Sequence, residues 1–210
     1  MKKFEVLYVP IGVPTFHLES AQKAFEASIQ LIKSFAPDAI VPQEMLLSID
    51  LLKAFIEDKN PDLVILQNVT FANSAFATEV FKRFNAPLCL WTLREPIIDG
   101  GRLRLNSLTG AFSAGFAHYN MQTGSFQYIF GSPDEKQIQQ TLSKIIHAAK
   151  IKHEMKDMNL LMIGHTPQGF GFGRALDLEM AKTFGVNLLS IESRELTQLA
   201  RNLKDEDLSL

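Results

Sequence analysis

The sequence predicts an α/β fold: a doubly wound parallel sheet in flavodoxin-like order, followed by a partial second α/β unit. Short apolar runs of strand length alternate with amphipathic helical patterns along the chain. The run of residues 63–66 is apolar throughout, which is expected where helices cover both faces of a parallel sheet. With 46% hydrophobic and 21% charged residues among 210, the chain can bury a sizeable core.

The first unit is predicted to be a Rossmann-like domain of residues 1–155. Apolar residues at helical spacing, such as Phe76, Val80 and Phe84, predict which helix faces pack inward. Residues 132–135 (Ser-Pro-Asp-Glu) have the composition and spacing of a capping box, with proline at the first helical position. The predicted strands are residues 4–9, 39–41, 63–66, 87–91 and 126–130, in the order 2-1-3-4-5, and the predicted helices are residues 19–35, 45–58, 72–84, a run ending near 120 and a run from 133 to about 155.

The second unit, residues 156–210, repeats the alternation but stops early. Strands are predicted at 160–163 and 186–191, and helices at 174–184 and 194–202. Two strands are only part of an open α/β sheet and cannot cover their own edges. Either these strands join the first sheet or they open a second, incomplete domain. We favour the second interpretation.

Composition argues against several classes of partner. The formal net charge is −2 and no run of Lys or Arg occurs, which disfavours nucleic-acid binding through phosphate contacts. No stretch approaches the roughly 20 apolar residues that cross a bilayer, so no membrane partner is expected. The single cysteine, Cys89, lies inside an apolar strand and fits a buried structural thiol in a reducing compartment. The expected location is the cytoplasm.

The most informative stretch runs from residue 88 to residue 115. A buried-type strand carrying the only tryptophan, Trp91, leads into a polar loop and then into a helix rich in small residues. The loop is longer than the roughly two to six residues usual for its class. One interpretation is an exposed connection with solvated charges; the other is a ligand-binding loop at the carboxyl edge of the sheet. The charged residues of this loop are Arg94, Glu95, Asp99, Arg102 and Arg104, around the pair Gly100-Gly101.

Two histidines, His17 and His165, lie in loops just after predicted strands, where ligand contacts are expected. His165 opens a glycine-rich loop, 165–173, whose glycine spacing does not match the dinucleotide-binding pattern. That loop is either simply flexible or binds an anion or a sugar hydroxyl at the following helix. The sequence contains no H-x-x-x-H or C-x-x-C spacing and no G-x-S-x-G motif, so no catalytic residue and no metal site are assigned.

The run LWTLREPIIDGGRLRLNSLTG resembles the first-domain segment of proteins related to L-fucose and L-arabinose isomerases. Its distinctive elements are W-x-x-x-E-P and G-G-R-L-R-x-N-S. The opening IGVPTFHLESAQKAF is similar to the family start, and HTPQGFGF with D-x-x-x-x-x-x-F-G-V resembles the start of the second domain. The resemblance spans the whole chain.

The resemblance implies an aldose–ketose isomerase that uses a divalent metal, typically Mn²⁺, held by acidic residues and histidines of the second and third domains. It implies a homo-oligomer in which a first domain covers the neighbour's active site. It also implies that Phe16 and His17 reach the sugar, with Trp91, Arg94 and Asn106 at the crevice. Family chains are about twice as long, so no cofactor is expected in this chain itself.

Two functional hypotheses follow. In the first, the chain is the N-terminal portion of a sugar isomerase, contributes substrate-binding loops at a subunit interface and is inactive alone. In the second, it is a stand-alone sugar-binding or regulatory module without catalysis. Both place the sugar at the carboxyl ends of the first, third and fourth predicted strands, where parallel topology gathers the loops. The candidate substrate-binding residues are Phe16, His17, Asn68, Trp91, Arg94, Glu95, Arg102, Asn106 and His165.

Overall fold

The computed structural model describes residues 3–121 and 126–203. The chain divides into two compact units after Lys150. The elements up to this division are β1 (Val6–Ile11), α1 (Leu18–Phe35), α2 (Ile49–Ile56), β2 (Leu63–Asn68), α3 (Ser74–Arg83), β3 (Leu88–Thr92), α4 (Ser107–Met121), β4 (Phe126–Phe130) and α5 (Lys136–Met155), the last of which continues past it.

The first unit contains a parallel sheet in the order β1-β2-β3-β4. Its register pairs Val6 with Leu63 and places Val64 beside Leu88, which in turn pairs with Phe126. The predicted second strand, residues 39–41, is reduced to one parallel bridge between Ile40 and Leu7 on the outer side of β1. The fold class is therefore confirmed, whereas the prediction of five strands is wrong: the described residues form four. Pro42 explains the difference, because it has no N–H with which to extend the ladder.

Helices cover both faces of this sheet, as the continuous apolar strands predicted. On one face, Tyr8, Ile65 and Trp91 pack with residues of α1 and α5. On the other, Val9 and Leu66 pack with residues of α2, α3 and α4. All residues of β1, β2 and β3 are buried. Side chains of these three strands therefore do not reach solvent, and their polar neighbours become exposed only beyond the strand ends.

A series of hydrogen bonds between buried polar side chains, the buried polar chain, lies on the face of the sheet that α1 and α5 cover. The Tyr8 hydroxyl donates to Gln67 Oε1 at 2.5 Å, and Gln67 Nε2 donates to Ser28 Oγ at 2.9 Å. Ser28 Oγ then donates to the Ala24 carbonyl at 2.7 Å. Burial raises the pKa of the Tyr8 phenol, so this group stays a neutral donor. The chain ties β1, β2 and α1 together in a fixed register.

The start of α5 differs from the sequence prediction. The helix begins at Lys136, so Pro133 is not its first residue. The predicted capping pair forms in part, because Glu135 Oε1 accepts from the Ser132 N–H at 2.7 Å. The Glu135 N–H also donates to the Ser132 carbonyl at 3.0 Å, which makes residues 132–135 a turn before the helix.

The second unit has its own two-stranded sheet. It contains β5 (Asn159–Ile163), a 3₁₀ turn (Gly171–Gly173), α6 (Asp177–Phe184), β6 (Asn187–Ile191) and α7 (Ser193–Asn202). The strands β5 and β6 pair in parallel with each other, with Asn159 opposite Asn187. Apolar side chains of both strands are exposed, among them Leu161 at 52% and Leu189 at 48%. Within the described part of this unit, Val186 is the one fully buried apolar side chain.

None of the helices in the described ranges combines the length and hydropathy that crossing a bilayer requires.

The buried polar chain predicts a stability effect with a defined partner. Changing Gln67→Leu should lower the free energy of unfolding by about 1–3 kcal/mol, because the Tyr8 hydroxyl loses its acceptor in the core. Adding Tyr8→Phe should recover part of that loss, since the unsatisfied hydroxyl is then removed as well. Urea unfolding followed by Trp91 fluorescence and far-ultraviolet circular dichroism measures both values.

The exposed change Gln22→Leu is the matched control and should stay within about 0.5 kcal/mol of the wild type. Additive losses in the double variant Tyr8→Phe, Gln67→Leu would contradict the coupling.

Candidate functional site

Three loops meet at the carboxyl ends of β1, β2 and β3. The His17 N–H donates to the Arg104 carbonyl at 2.9 Å, which joins the loop after β1 to the loop after β3. The Phe71 N–H donates to the Leu105 carbonyl at 2.8 Å, which joins the loop after β2 to the same segment. The Val13 N–H donates to Thr70 Oγ1 at 2.9 Å and completes the set. The sheet edge therefore carries one connected surface, as parallel topology predicts.

The loop after β3 is closed by the carboxylate of Glu95. It accepts from three successive backbone N–H groups: Arg104 at 2.9 Å, Leu105 at 3.1 Å and Asn106 at 2.5 Å. We expected Glu95 to bind substrate, but its acceptor capacity is directed at its own loop. Three converging backbone donors form a ready anion site, and here the loop's own carboxylate fills it. The role that the structure gives Glu95 is to position the loop.

The same loop carries three arginines with different partners. Arg94 makes a bidentate pair with Glu135, with both distances 2.9 Å, and lies 4.8 Å from the centre of the Phe130 ring. Arg104 pairs with Asp99 at 3.3 Å. Asp99 also accepts from the Gly101 N–H, which with the charge of Arg104 lowers the pKa of the Asp99 carboxyl. Two of the three cations are thus compensated by carboxylates.

Arg102 differs from the other two arginines. It is exposed, and its guanidinium carbon lies 5.0 Å from the centre of the Phe16 ring. It forms no ion pair within the described residues. Phe16 is half-buried and packs edge-on against Phe71, with ring centres 6.3 Å apart. Phe16 and Arg102, both predicted site residues, are therefore in contact.

His17 caps helix α1 beside this pair. Its Nδ1 accepts from the Ser20 N–H at 3.3 Å and lies 2.8 Å from Ser20 Oγ. The side chain is exposed, and Nε2 has no hydrogen bond within the described part of the chain. His17 thus combines a structural cap with one ring nitrogen open to solvent.

The structure corrects the expected position of Trp91. The side chain is fully buried, and its indole N–H donates to the Gly131 carbonyl at 2.9 Å. The prediction that Trp91 lines the crevice is wrong, because β3 lies between β2 and β4 with helices on both faces. Cys89 on the same strand is also buried, and burial raises the pKa of its thiol to about 12, which excludes a reactive thiolate at neutral pH.

Asn68 and Asn106 occupy deeper positions of the edge. Asn68 ends β2, is fully buried, and neither its Oδ1 nor its Nδ2 has a hydrogen-bond partner within the described residues. It packs against Gly110, where an added Cβ would lie 3.1 Å from the Asn68 Cβ. Asn106 has a positive φ of 51° and accepts from Thr109 Oγ1 at 2.7 Å, just before α4. In this structure Asn68 lies below the surface rather than on it.

His165 belongs to the second unit, where it is exposed in the loop after β5. Its assignment to the site stays a prediction.

Sequence reasoning missed residues that hold the site together. Ser107 Oγ accepts from the Leu93 N–H at 2.8 Å and donates to the Asn68 carbonyl. These two hydrogen bonds attach the start of α4 to the ends of β2 and β3. Glu135 was interpreted as a helix cap, and its pairing with Arg94 spans 41 positions. Short-range spacing carries no signal for such a pair. The serine could have been found as the last residue of the G-G-R-L-R-x-N-S element.

The described residues do not fit the Mn²⁺ site that the isomerase resemblance implies. Within 3–121 and 126–203, no three His, Cys, Asp or Glu side chains converge as ligands. Glu95, Asp99 and Glu135, the carboxylates nearest the loop, are held by backbone N–H groups or arginines. We therefore derive no chemical step through a metal from these residues.

The Arg94–Glu135 pair predicts a pH-dependent stability. Arg94, and secondarily the Ser132 N–H, lower the pKa of Glu135 in the folded state. A carboxyl with a lowered folded pKa stabilises the fold above its unfolded pKa and loses that contribution as pH falls. Between pH of about 5 and 3, the free energy of unfolding should fall more steeply for the wild type than for Glu135→Gln.

Arg94→Gln removes the main cause of the shift and should flatten the same interval. Equal slopes in the wild type and Glu135→Gln, measured by urea unfolding at several pH values, would contradict the assignment.

Comparison with known proteins gives several relatives that share one name, among them the three that follow. The chain is 50% identical over 207 residues to the sulfoquinovose isomerase of Clostridium sp. (strain MSTE9), covering 99% of this chain and 46% of the relative. It is 33% identical over 210 residues to that of Priestia aryabhattai and 30% identical over 203 residues to that of Alkalicoccus urumqiensis. These matches cover 47% and 45% of the relatives. The chain thus spans about half the length of the curated relatives it matches.

Two further comparisons add little. No family model matches the chain. A crystal structure of an azoreductase from Bacillus anthracis str. Sterne aligns with 70% of this chain and 95% of its own, at 14% identity and a TM-score of 0.31, which is too low to support an argument.

The relatives are sugar isomerases by name, which agrees with the broad class implied by the motifs of residues 91–107. They do not show membership of the L-fucose/L-arabinose group.

Proposed function

We propose that this chain is the N-terminal part of an aldose–ketose isomerase whose substrate is sulfoquinovose, a hexose that carries a sulfonate on its sixth carbon. The observation that carries the proposal is 50% identity over 207 residues to a protein named sulfoquinovose isomerase. The matched region covers 99% of this chain and therefore includes both units and the loops at the sheet edge. We keep the L-fucose/L-arabinose-like relationship as part of the proposal, on the motifs around Trp91 and Asn106.

The geometry supports a substrate-binding role for the first unit. Phe16 supplies an aromatic ring that carries the Arg102 guanidinium, and Arg102 and His17 offer polar groups at the exposed edge. Sugar sites combine a flat apolar surface with a few fixed polar groups in this way. The loop that holds Arg102 is closed by Glu95, so these groups are placed before a ligand arrives.

The described residues support binding more directly than chemistry. Isomerisation by the implied mechanism needs a metal to polarise oxygens and a carboxylate to move a proton. The ligands for that metal are proposed to come from a part of the isomerase outside residues 1–210. The bare strands of the second unit, with Leu161 and Leu189 about half exposed, support the view that further chain packs there.

A stand-alone sugar-binding module is the second candidate. The observation that favours it is the lack of a convergent ligand set within the described residues. The two candidates agree on the sugar edge and differ on turnover. In both candidates we propose a sugar as the partner and no nucleic-acid or membrane partner. The proposed location of the protein is the cytoplasm.

A homo-oligomer is also proposed, and helix α4 supports it. The helix carries no Asp, Glu, Lys or Arg, and one face presents large apolar side chains to solvent. Their exposed fractions are 43% for Leu108, 74% for Phe112, 67% for Phe116 and 81% for Tyr119. Such a contiguous uncharged stripe is typical of an interface. A second copy of the chain is the partner proposed here.

The function is tested by comparing residues 1–210 with the protein from the complete reading frame. With added Mn²⁺, we expect the complete protein to convert sulfoquinovose into its ketose. Nuclear magnetic resonance of the sugar measures this conversion. Residues 1–210 alone should show no turnover and, by calorimetry, only weak Mn²⁺ binding. Turnover by residues 1–210 that a chelator abolishes and Mn²⁺ restores would disprove the division of roles.

The oligomer is tested on the α4 stripe. Changing Phe112→Ser and Phe116→Ser together should reduce the oligomer measured by light scattering on a sizing column, because about 1.5–3 kcal/mol of apolar burial is lost per side chain. The control is Leu51→Ser on α2, which is 43% exposed and lies outside the stripe. An unchanged oligomer in the double variant would remove α4 from the interface.

A further inference from the structure

We propose that Arg102, seated on the ring of Phe16, binds the sulfonate of the substrate and so selects a sulfonated hexose over a neutral one. The inference rests on the proposed function and adds a residue that determines specificity. It follows from a comparison of the cations at the sheet edge rather than from the motif that contains Arg102.

Charge compensation separates Arg102 from its neighbours. Arg94 is held by two bonds of 2.9 Å to Glu135, and Arg104 pairs with Asp99 at 3.3 Å. Arg102 forms no ion pair within the described residues, although it lies on the same loop. An incoming anion would have to break an existing pair to engage Arg94 or Arg104. Arg102 can bind the anion without breaking an ion pair.

The position of Arg102 is also constrained in advance. Its guanidinium carbon is 5.0 Å from the centre of the Phe16 ring, within the range of a cation–π contact. Phe16 is itself fixed, because its ring packs on Phe71 and the next residue, His17, bonds to the Arg104 carbonyl at 2.9 Å. The platform and the loop that carries Arg102 are therefore tied to each other. Preorganisation of this kind reduces the entropy lost on binding.

Stacking leaves the useful part of the guanidinium available. A guanidinium that rests on an aromatic face keeps its in-plane N–H groups at the rim, where they can form two parallel bonds to an oxyanion. A sulfonate presents three oxygens and a permanent negative charge, whereas the corresponding group of glucose is a neutral hydroxyl. A phosphate has similar chemistry, so the experiment separates the two anions.

The test uses the protein from the complete reading frame and measures kcat and KM. For Arg102→Gln, KM for sulfoquinovose should rise by about 10- to 100-fold with little change in kcat, as expected for loss of a charged hydrogen-bonding group used in both ground and transition states. Arg102→Lys should raise KM less than Arg102→Gln does, since lysine keeps the positive charge but lacks the paired N–H donors of the guanidinium. Phe16→Leu should raise KM by about 2- to 5-fold by removing the platform.

The matched control is Lys33→Gln, which removes one exposed positive charge from the last turn of α1. Lys33 lies about 22 Å along that helix from its first residue, so KM should not change. Increasing salt should raise KM for the wild type and have much less effect on Arg102→Gln, because screening acts on the cation–sulfonate attraction. Circular dichroism checks that each variant is folded.

Three outcomes would overturn the inference. If the wild type turns over sulfoquinovose and Arg102→Gln keeps the wild-type KM, another group binds the sulfonate. If the wild type prefers glucose 6-phosphate, the anion has been assigned wrongly. If the wild type neither binds nor converts sulfoquinovose, the proposed function fails and the inference fails with it. The first outcome leaves the proposed function standing, so the two failures are distinguishable.

Discussion

The candidate site depends on one carboxylate that binds its own backbone. Glu95 accepts hydrogen bonds from three successive N–H groups, those of Arg104, Leu105 and Asn106, and so closes the loop between β3 and α4 at its base. Hydrogen bonds to a charged acceptor are about twice as strong as neutral ones, and three of them offset much of the entropy of ordering the loop. The bonds that join this loop to its neighbours, at Leu105 and Arg104, originate from the clamped segment. Without the clamp, neither Arg102 nor the contact with Phe16 would have a fixed place.

The sheet determines where function can begin. Along β3 every side chain is buried, and burial continues through Leu93 before the exposed Arg94. Ser107 binds the chain at this exit from the sheet by joining the Leu93 N–H to the Asn68 carbonyl. The apolar layers therefore hold the ends of three strands in register, and after β3 the first exposed polar residue, Arg94, follows two residues after the strand ends. This is why parallel α/β proteins can vary their loops without losing the sheet.

Sequence patterns predicted the fold better than the roles of individual residues. The structure contains the predicted alternation of strands and helices, the buried apolar strands and a second α/β unit after the first. The apolar run around Trp91 is typical of a buried strand, whereas its expected position at the crevice came from the family resemblance and not from that pattern. Glu95 and Glu135 could not be assigned, since their partners depend on loop closure and on a contact across 41 positions. The proximity of Phe16 and Arg102, by contrast, follows from topology, because both loops leave the same edge.

The polar groups at this edge divide into those that hold the structure and those that remain available. Glu95, Asp99 and Glu135 are engaged by backbone or arginine donors, and these contacts shape the loop. Arg102 and the Nε2 of His17 face solvent without such partners among the described residues. The guanidinium of Arg102 supplies hydrogen-bond donors and a positive charge, which suits recognition of an anionic, hydroxylated ligand. The chemistry of an isomerase would then require acceptors and metal ligands from elsewhere in the assembly, with this edge contributing the selection of the sugar.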